Sequence, residues 1–88
     1  MTIEDRAWKW YRSKFPNPDD NIDRLSLWVF EESGELAKAL RQGADEEVLS
    51  ELGDLALMVT LLCGVYGSSI EKCLEKAVTR KEKRQGLR

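Results

Sequence analysis

Two apolar helical stretches, each interrupted by a pair of acids at the same spacing, constrain this chain more than any other feature. The first is Glu31-Glu32-Ser33-Gly34-Glu35-Leu36-Ala37 and the second is Glu51-Leu52-Gly53-Asp54-Leu55-Ala56. With Glu32 laid over Glu51, nineteen positions on, they agree: acid, small or apolar, Gly, acid, Leu, Ala. Carboxylates at i and i+3 share one face of a helix, with Cβ atoms roughly 5–6 Å apart. If the two helices pack antiparallel, Glu32, Glu35, Glu51 and Asp54 meet. Four like charges repel one another and resist leaving water, so a fold that gathers them needs cations between them. The pattern predicts a carboxylate cage for a hard divalent metal, most simply Mg²⁺.

Most glutamates on helices are simply solvated. Asp45, Glu46 and Glu47 fit that description, as first-turn acids favoured by the helix dipole. The two clusters differ. They lie inside apolar sequence, so helix phase carries them toward a covered side. Each holds a glycine, Gly34 or Gly53, at about 1 kcal/mol relative to Ala in a helix, which predicts close helix approach or room for a ligand. The donor types narrow the metal. Di-iron carboxylate bundles use Glu-x-x-His pairs, and this chain has no His. Zinc favours nitrogen and sulfur ligands. An all-oxygen cage suits Mg²⁺ or Mn²⁺, and Mg²⁺ commonly binds a substrate phosphate as well.

Around the clusters the chain reads as four helices and no strand. Ile3 to about Phe15 is the first, capped by Thr2 with Asp5 three residues on. Ala7, Trp8, Tyr11 and Phe15 form its stripe, and Trp10 lies off it. That aromatic density has two readings: core and interface packing, or a wall on which a nucleobase stacks. Pro16 to Asn21 is a turn, and Asp19, Asp20 or Asn21 is expected to cap a second helix that ends at Gln42 with Gly43 as its C-cap. Asp45 is expected to cap a third helix, about Glu46 to Tyr66. Gly67 ends it, Ser68 or Ser69 caps a fourth running to about Arg84, and Gly86-Leu87-Arg88 is a frayed end. The second and third helices are apolar on more than one side. A chain of 88 residues has little else to cover them, so a homo-oligomer is expected.

Charge is uneven. Glu31 to Asp54 holds eight acids against Lys38 and Arg41, whereas Lys72 to Arg88 holds seven basic residues against Glu75 and Glu82. An acidic middle and a basic end suit a ligand carrying both metal and phosphate, although a solvated helix face explains the basic end equally well. No apolar leader is seen at Met1 to Trp10. The longest apolar run, Leu55 to Tyr66, is 12 residues and is expected to be too short to span a bilayer. Cys63 and Cys73 lack a metal-ligand spacing and read as reduced, small, buried hydrophobes. A cytoplasmic protein is expected.

The pattern Glu31-Glu32-x-x-Glu35, fifteen residues, Glu51-x-x-Asp54 resembles the signature of the MazG-like all-α nucleoside triphosphate pyrophosphohydrolases, over about Trp8 to Arg84. The resemblance implies a single domain over 1–88, a four-helix bundle completed by homodimer or homotetramer formation. It also implies Mg²⁺-dependent hydrolysis of (deoxy)nucleoside triphosphates to a monophosphate and pyrophosphate, in nucleotide-pool house-cleaning. Carried over by position, Glu32, Glu35, Glu51 and Asp54 match metal ligands, and Glu31 becomes a further ligand or the group that activates water. Lys76 and Arg80, at i and i+4, match the region that contacts phosphates. Trp8, Trp10 and Trp28 resemble the substrate wall of the base-recognising members.

Two rivals stand beside this reading. Phosphoribosyl-ATP pyrophosphohydrolases usually carry a Tyr-His pair shortly after the Asp, whereas Asp54 is followed by Leu55-Ala56-Leu57-Met58. A non-catalytic helical interaction or regulatory module would use the basic tail on nucleic acid. Against it stand the net charge of −2, a tail without interleaved aromatics, and a full set of site acids.

Overall fold

Four helices make up the computed structural model, which describes residues 1–86: α1 (Ile3–Lys14), α2 (Asn21–Gln42), α3 (Asp45–Val65) and α4 (Ile70–Arg84). A short 3₁₀ turn, Pro18–Asp20, links α1 to α2, and there is no strand among the described residues. The expected all-α, four-helix architecture is the observed one. Of the expected frayed end at Gly86-Leu87-Arg88, the last two residues lie outside those described.

Local chemistry sets most of the boundaries. Asp5 N–H donates to Thr2 Oγ1, and Thr2 N–H donates to Asp5 Oδ2, both at 3.0 Å. This reciprocal pair satisfies two of the amides that a helix start leaves unpaired. The start of α2 differs from expectation. Asp20 is its N-cap but makes no side-chain bond. Asn17 accepts from Asp19 N–H at 3.0 Å instead, shaping the 3₁₀ turn, and Asn21 accepts from the Tyr11 hydroxyl at 3.0 Å. Gly43 closes α2 at φ +68°, a left-handed conformation that glycine adopts without steric penalty. Asp45 proves to be the first residue of α3 rather than its cap, a position Ala44 holds without a side-chain bond. Three acids in that first turn, Asp45, Glu46 and Glu47, lie where the helix dipole favours negative charge.

The two-residue turn Gly43-Ala44 folds α2 and α3 into an antiparallel hairpin, the main helix–helix contact of the molecule. α1 and α4 each pack on α3. The core lies toward the open end of the hairpin, where Ala7 and Tyr11 of α1 meet Leu25 of α2 and Met58 and Leu61 of α3. Phe15 and Trp28 cross edge to face at 5.3 Å between ring centroids. Arg24 covers Phe15, its guanidinium 4.1 Å from the ring, and donates to the Tyr11 hydroxyl at 3.2 Å.

Two expectations change here. α3 as a whole, not its 12-residue apolar run, is the unit that counts: Asp45–Val65 is long and apolar enough to cross a membrane by length and composition, with mean hydropathy 1.8 over an 18-residue window. Core helices of soluble proteins pass the same test when mostly buried, whereas 11% of this window is buried within the chain, although the other three helices pack on α3. Of the two expectations for Gly34 and Gly53, close helix approach fails, since beyond the local helix no described residue stands within 4 Å of where their Cβ atoms would be. The open space beside them leaves the other, room for a ligand. The glycine at a close helix approach lies elsewhere. It is Gly64, whose missing Cβ leaves the place taken by the Trp8 indole, with Nε1 2.6 Å from that point.

Candidate metal centre

On α2, helical phase runs the covered seam through Leu25, Trp28, Val29, Glu32, Leu36 and Ala39. All six are buried or half-buried. On α3 the matching seam passes through Val48, Glu51, Leu55, Met58 and Leu62, likewise covered. Glu32 and Glu51 thus occupy positions that the fold would otherwise give to Leu. Their neighbours Glu31, Glu35 and Asp54 lie off the centre of the seam and are exposed.

The hairpin brings three of these acids to one place. Glu32, Glu51 and Asp54 each offer a carboxylate oxygen, and the three oxygens lie within 4.8 Å of one another. Glu51 Oε2 is buried without a hydrogen-bond partner, which is costly for a charged oxygen. The Glu32 carboxyl is held above its ordinary value of 4.5, first by partial burial, then by a hydrogen bond to Glu51 and by the charges of Asp54, Glu51 and Glu35. The two observations agree physically. With Glu32 and Glu51 both ionised, neither has a proton to give, and protonating Glu32 supplies the missing donor. A divalent cation supplies positive charge to the same oxygens, and an all-oxygen donor set suits a hard ion. The residues present fit such a metal.

This crowding has a stability consequence. A carboxyl whose folded pKa is raised binds its proton more tightly in the folded state than in the unfolded one. Stability without metal is therefore lost as pH rises from about 4.5 through the raised value. Glu32→Gln removes that penalty. In the metal-free protein the variant's Tm should exceed the parent's at pH 7, with the gap closing toward pH 4.5. Thermal denaturation across that range in a chelator checks it, and a pH-independent gap would refute the crowding argument.

The other expected site residues are distributed unevenly. Glu35 lies in a groove beside the triad with Lys38, Gln42, Glu47 and Glu51. Glu31 is adjacent to Glu32 but turned about 100° round the helix from it. Trp28 sits one turn before Glu32 on the same seam, half-buried against Phe15. Trp8 lies elsewhere. It packs on Gly64, ten residues beyond Asp54 on α3 and hence about 15 Å along the helix axis. Arg12 covers its ring at 5.0 Å. Trp10 is exposed, with the Lys14 ammonium 5.8 Å from its ring. Lys76 and Arg80 share an exposed groove on α4 with Lys72, Glu75 and Thr79, and no acid of the triad lines it. Within one chain, the basic pair and the carboxylates form separate surfaces.

A family model described as MazG nucleotide pyrophosphohydrolase domain matches residues 21–86, three quarters of the chain. It begins at the first residue of α2 and takes in the hairpin and α4, leaving α1 and Trp8 outside. Comparison with curated proteins and with solved structures gave no match. The metal-fitting triad lies within the matched hairpin, the helices agree in number and order with those expected, and the chain belongs to the MazG nucleotide pyrophosphohydrolase domain family.

Proposed function

We propose that this chain is a single domain that hydrolyses (deoxy)nucleoside triphosphates to the monophosphate and pyrophosphate with Mg²⁺, as part of cytoplasmic nucleotide-pool house-cleaning. The observation that carries the reading is the oxygen triad of Glu32, Glu51 and Asp54, with a partnerless buried oxygen on Glu51, inside a MazG-matching hairpin. Glu32, Glu51 and Asp54 would hold the metal, with Glu35 completing the set from the adjoining groove. A divalent cation held by these residues would supply Lewis acidity to phosphoryl oxygens and to water. Glu31, exposed beside the cluster, orients the attacking water and accepts its proton. Trp28 offers a partly exposed aromatic face one turn from Glu32 and suits the nucleobase side of the substrate.

Assembly is part of the proposal. Phe30 is 81% exposed, two positions before Glu32, and Leu27, Leu49 and Leu52 are also uncovered. Apolar exposure of this extent on the two central helices favours a homodimer or homotetramer. In such an assembly Lys76 and Arg80 meet the phosphates of a neighbouring copy's site, where their charge offsets that of departing pyrophosphate.

Pyrophosphate release is to be measured over a panel of canonical and modified ribo- and deoxyribonucleoside triphosphates, with phosphoribosyl-ATP included, in Mg²⁺ and in Mn²⁺. At least one triphosphate should be cleaved in a metal-dependent manner. A folded protein that cleaves none of them and shows no thermal shift with either metal would sink the reading. Cleavage of phosphoribosyl-ATP alone would transfer it to that branch. Light scattering on the same preparation sizes the assembly, and an active monomer removes the shared-site part.

A further inference from the structure

The junction between α3 and α4 carries chemistry that the hydrolytic reading does not use. Cys63 lies in the last turn of α3 and is half-buried, whereas Cys73 lies in the first turns of α4 and is exposed, contrary to the expectation that both are buried hydrophobes. Gly67, at φ +74°, reverses the chain between them. Its N–H donates to Gly64 O at 3.0 Å. Ser68 then ties the two cysteines together. Its N–H donates to the Cys63 carbonyl at 2.9 Å, and its Oγ accepts from the Cys73 thiol at 3.8 Å. Ser69 fixes the direction in which α4 leaves, with its Oγ accepting from Lys72 N–H at 3.2 Å and its carbonyl from Cys73 N–H at 3.0 Å.

We propose that Cys63 and Cys73 are a dithiol site that closes to a reversible disulfide, stapling the first turns of α4 to the last turn of α3. The reaction is an exchange with a low-molecular-weight disulfide. The exposed Cys73 thiolate attacks one sulfur of that disulfide, forms a mixed disulfide and releases one thiolate. Cys63 gives its proton to solvent, attacks Cys73 Sγ and expels the second thiolate. Two protein thiols are oxidised and one small disulfide is reduced to two thiols. Cys73 opens the sequence because it is the accessible partner. The Cys63 thiol is pushed up to about 11, by burial first and then by its hydrogen bond to Cys73. A thiol with so high a pKa is a poor leaving group, so the closed form resists reduction.

The consequence falls on α4. Among the described elements α4 makes its helix–helix contacts with α3 alone, so a covalent link there acts on the one packing contact that holds it. Lys76 stands one turn past Cys73 and Arg80 two turns past it, so the staple restricts the helix that presents them.

The test exposes the full-length chain to graded ratios of oxidised to reduced glutathione. Intact mass, peptide mapping, thermal melting and amide exchange are the readouts. The expected product is a single chain, not covalently linked to another, that lacks two hydrogens, with Cys63 and Cys73 in one cross-linked peptide. Its Tm should rise by roughly 10–20 °C, as closing a loop of this length predicts, with slower exchange along α4. Cys63→Ser should stop at a stable mixed disulfide on Cys73. A parent protein that keeps that mixed disulfide, links to a second chain instead, or does not react would overturn the proposal.

Discussion

Glu51→Gln should abolish both metal-dependent stabilisation and hydrolysis while leaving the helices folded. Glu51 contributes to the oxygen triad, and its Oε2 is the buried atom without a partner. An amide there keeps the shape, lowers the charge and can donate to Glu32. Substitutions one shell out from a metal typically cost 10–100-fold, so a lost ligand should lower kcat/KM by about 10²-fold or more. The metal-free Tm should stay level or rise, because a crowded charge has gone. That opposite movement separates a ligand from a merely structural residue. Calorimetric titration with Mg²⁺ and Mn²⁺ beside turnover reads both effects. Metal affinity kept in Glu51→Gln would disqualify the triad. Glu31→Gln is the contrasting case: its carboxylate lies outside the triad, so turnover should fall while the metal-induced Tm shift persists.

The largest loss of stability is expected at Gly64. A Cβ there would stand 2.6, 2.7 and 2.8 Å from three atoms of the Trp8 indole. Trp8 has little freedom to withdraw, being half-buried edge to face against Tyr11 at 5.6 Å. Gly64→Val adds two further carbons at the same spot. Overpacking of this kind costs about 1–3 kcal/mol, against a gain of at most about 1 kcal/mol from removing a helical glycine. For a chain of this size the net loss lowers Tm by roughly 5–15 °C. Pairing Gly64→Val with Trp8→Leu should recover part of it, because the two substitutions act through one contact. Gly53→Ala is the control, since beyond the local helix no described residue lies within 4 Å of its added methyl. It should raise Tm by several degrees in an isolated chain. Full additivity of Gly64→Val and Trp8→Leu would show that their contact is not the cause.

The glycine comparison shows where reading residues in order falls short. Gly34 and Gly53 stood out because they lie inside the acidic clusters, yet neither is at a close approach within the chain. Gly64 figured only as an interruption, with Thr60, of the apolar run Leu55 to Tyr66. A sequence displays the cost of a glycine in a helix but not which neighbour comes close, since that neighbour, Trp8, belongs to a helix more than fifty positions away. The cysteines followed the same pattern. Their ten-residue separation had no meaning until Gly67 and Ser68 brought them to one junction.

Helix number, the Thr2–Asp5 capping box, the Gly43 stop and the acid pairs were all settled by local rules of capping, phase and chirality, and those rules are written in neighbouring residues. The family resemblance followed from the same acid spacing, and the match over residues 21–86 made it membership. Tertiary structure decided which acids meet. Helix phase placed Glu32 and Glu51 on a seam, but only the two-residue turn at Gly43-Ala44 set the register that brings Asp54 to them and leaves Glu35 in the adjoining groove. It likewise set Trp28 beside the acids, Trp8 about 15 Å along α3, and Lys76 and Arg80 on a separate surface. Side chains distant in sequence meet through packing, and packing depends on the relative placement of whole helices.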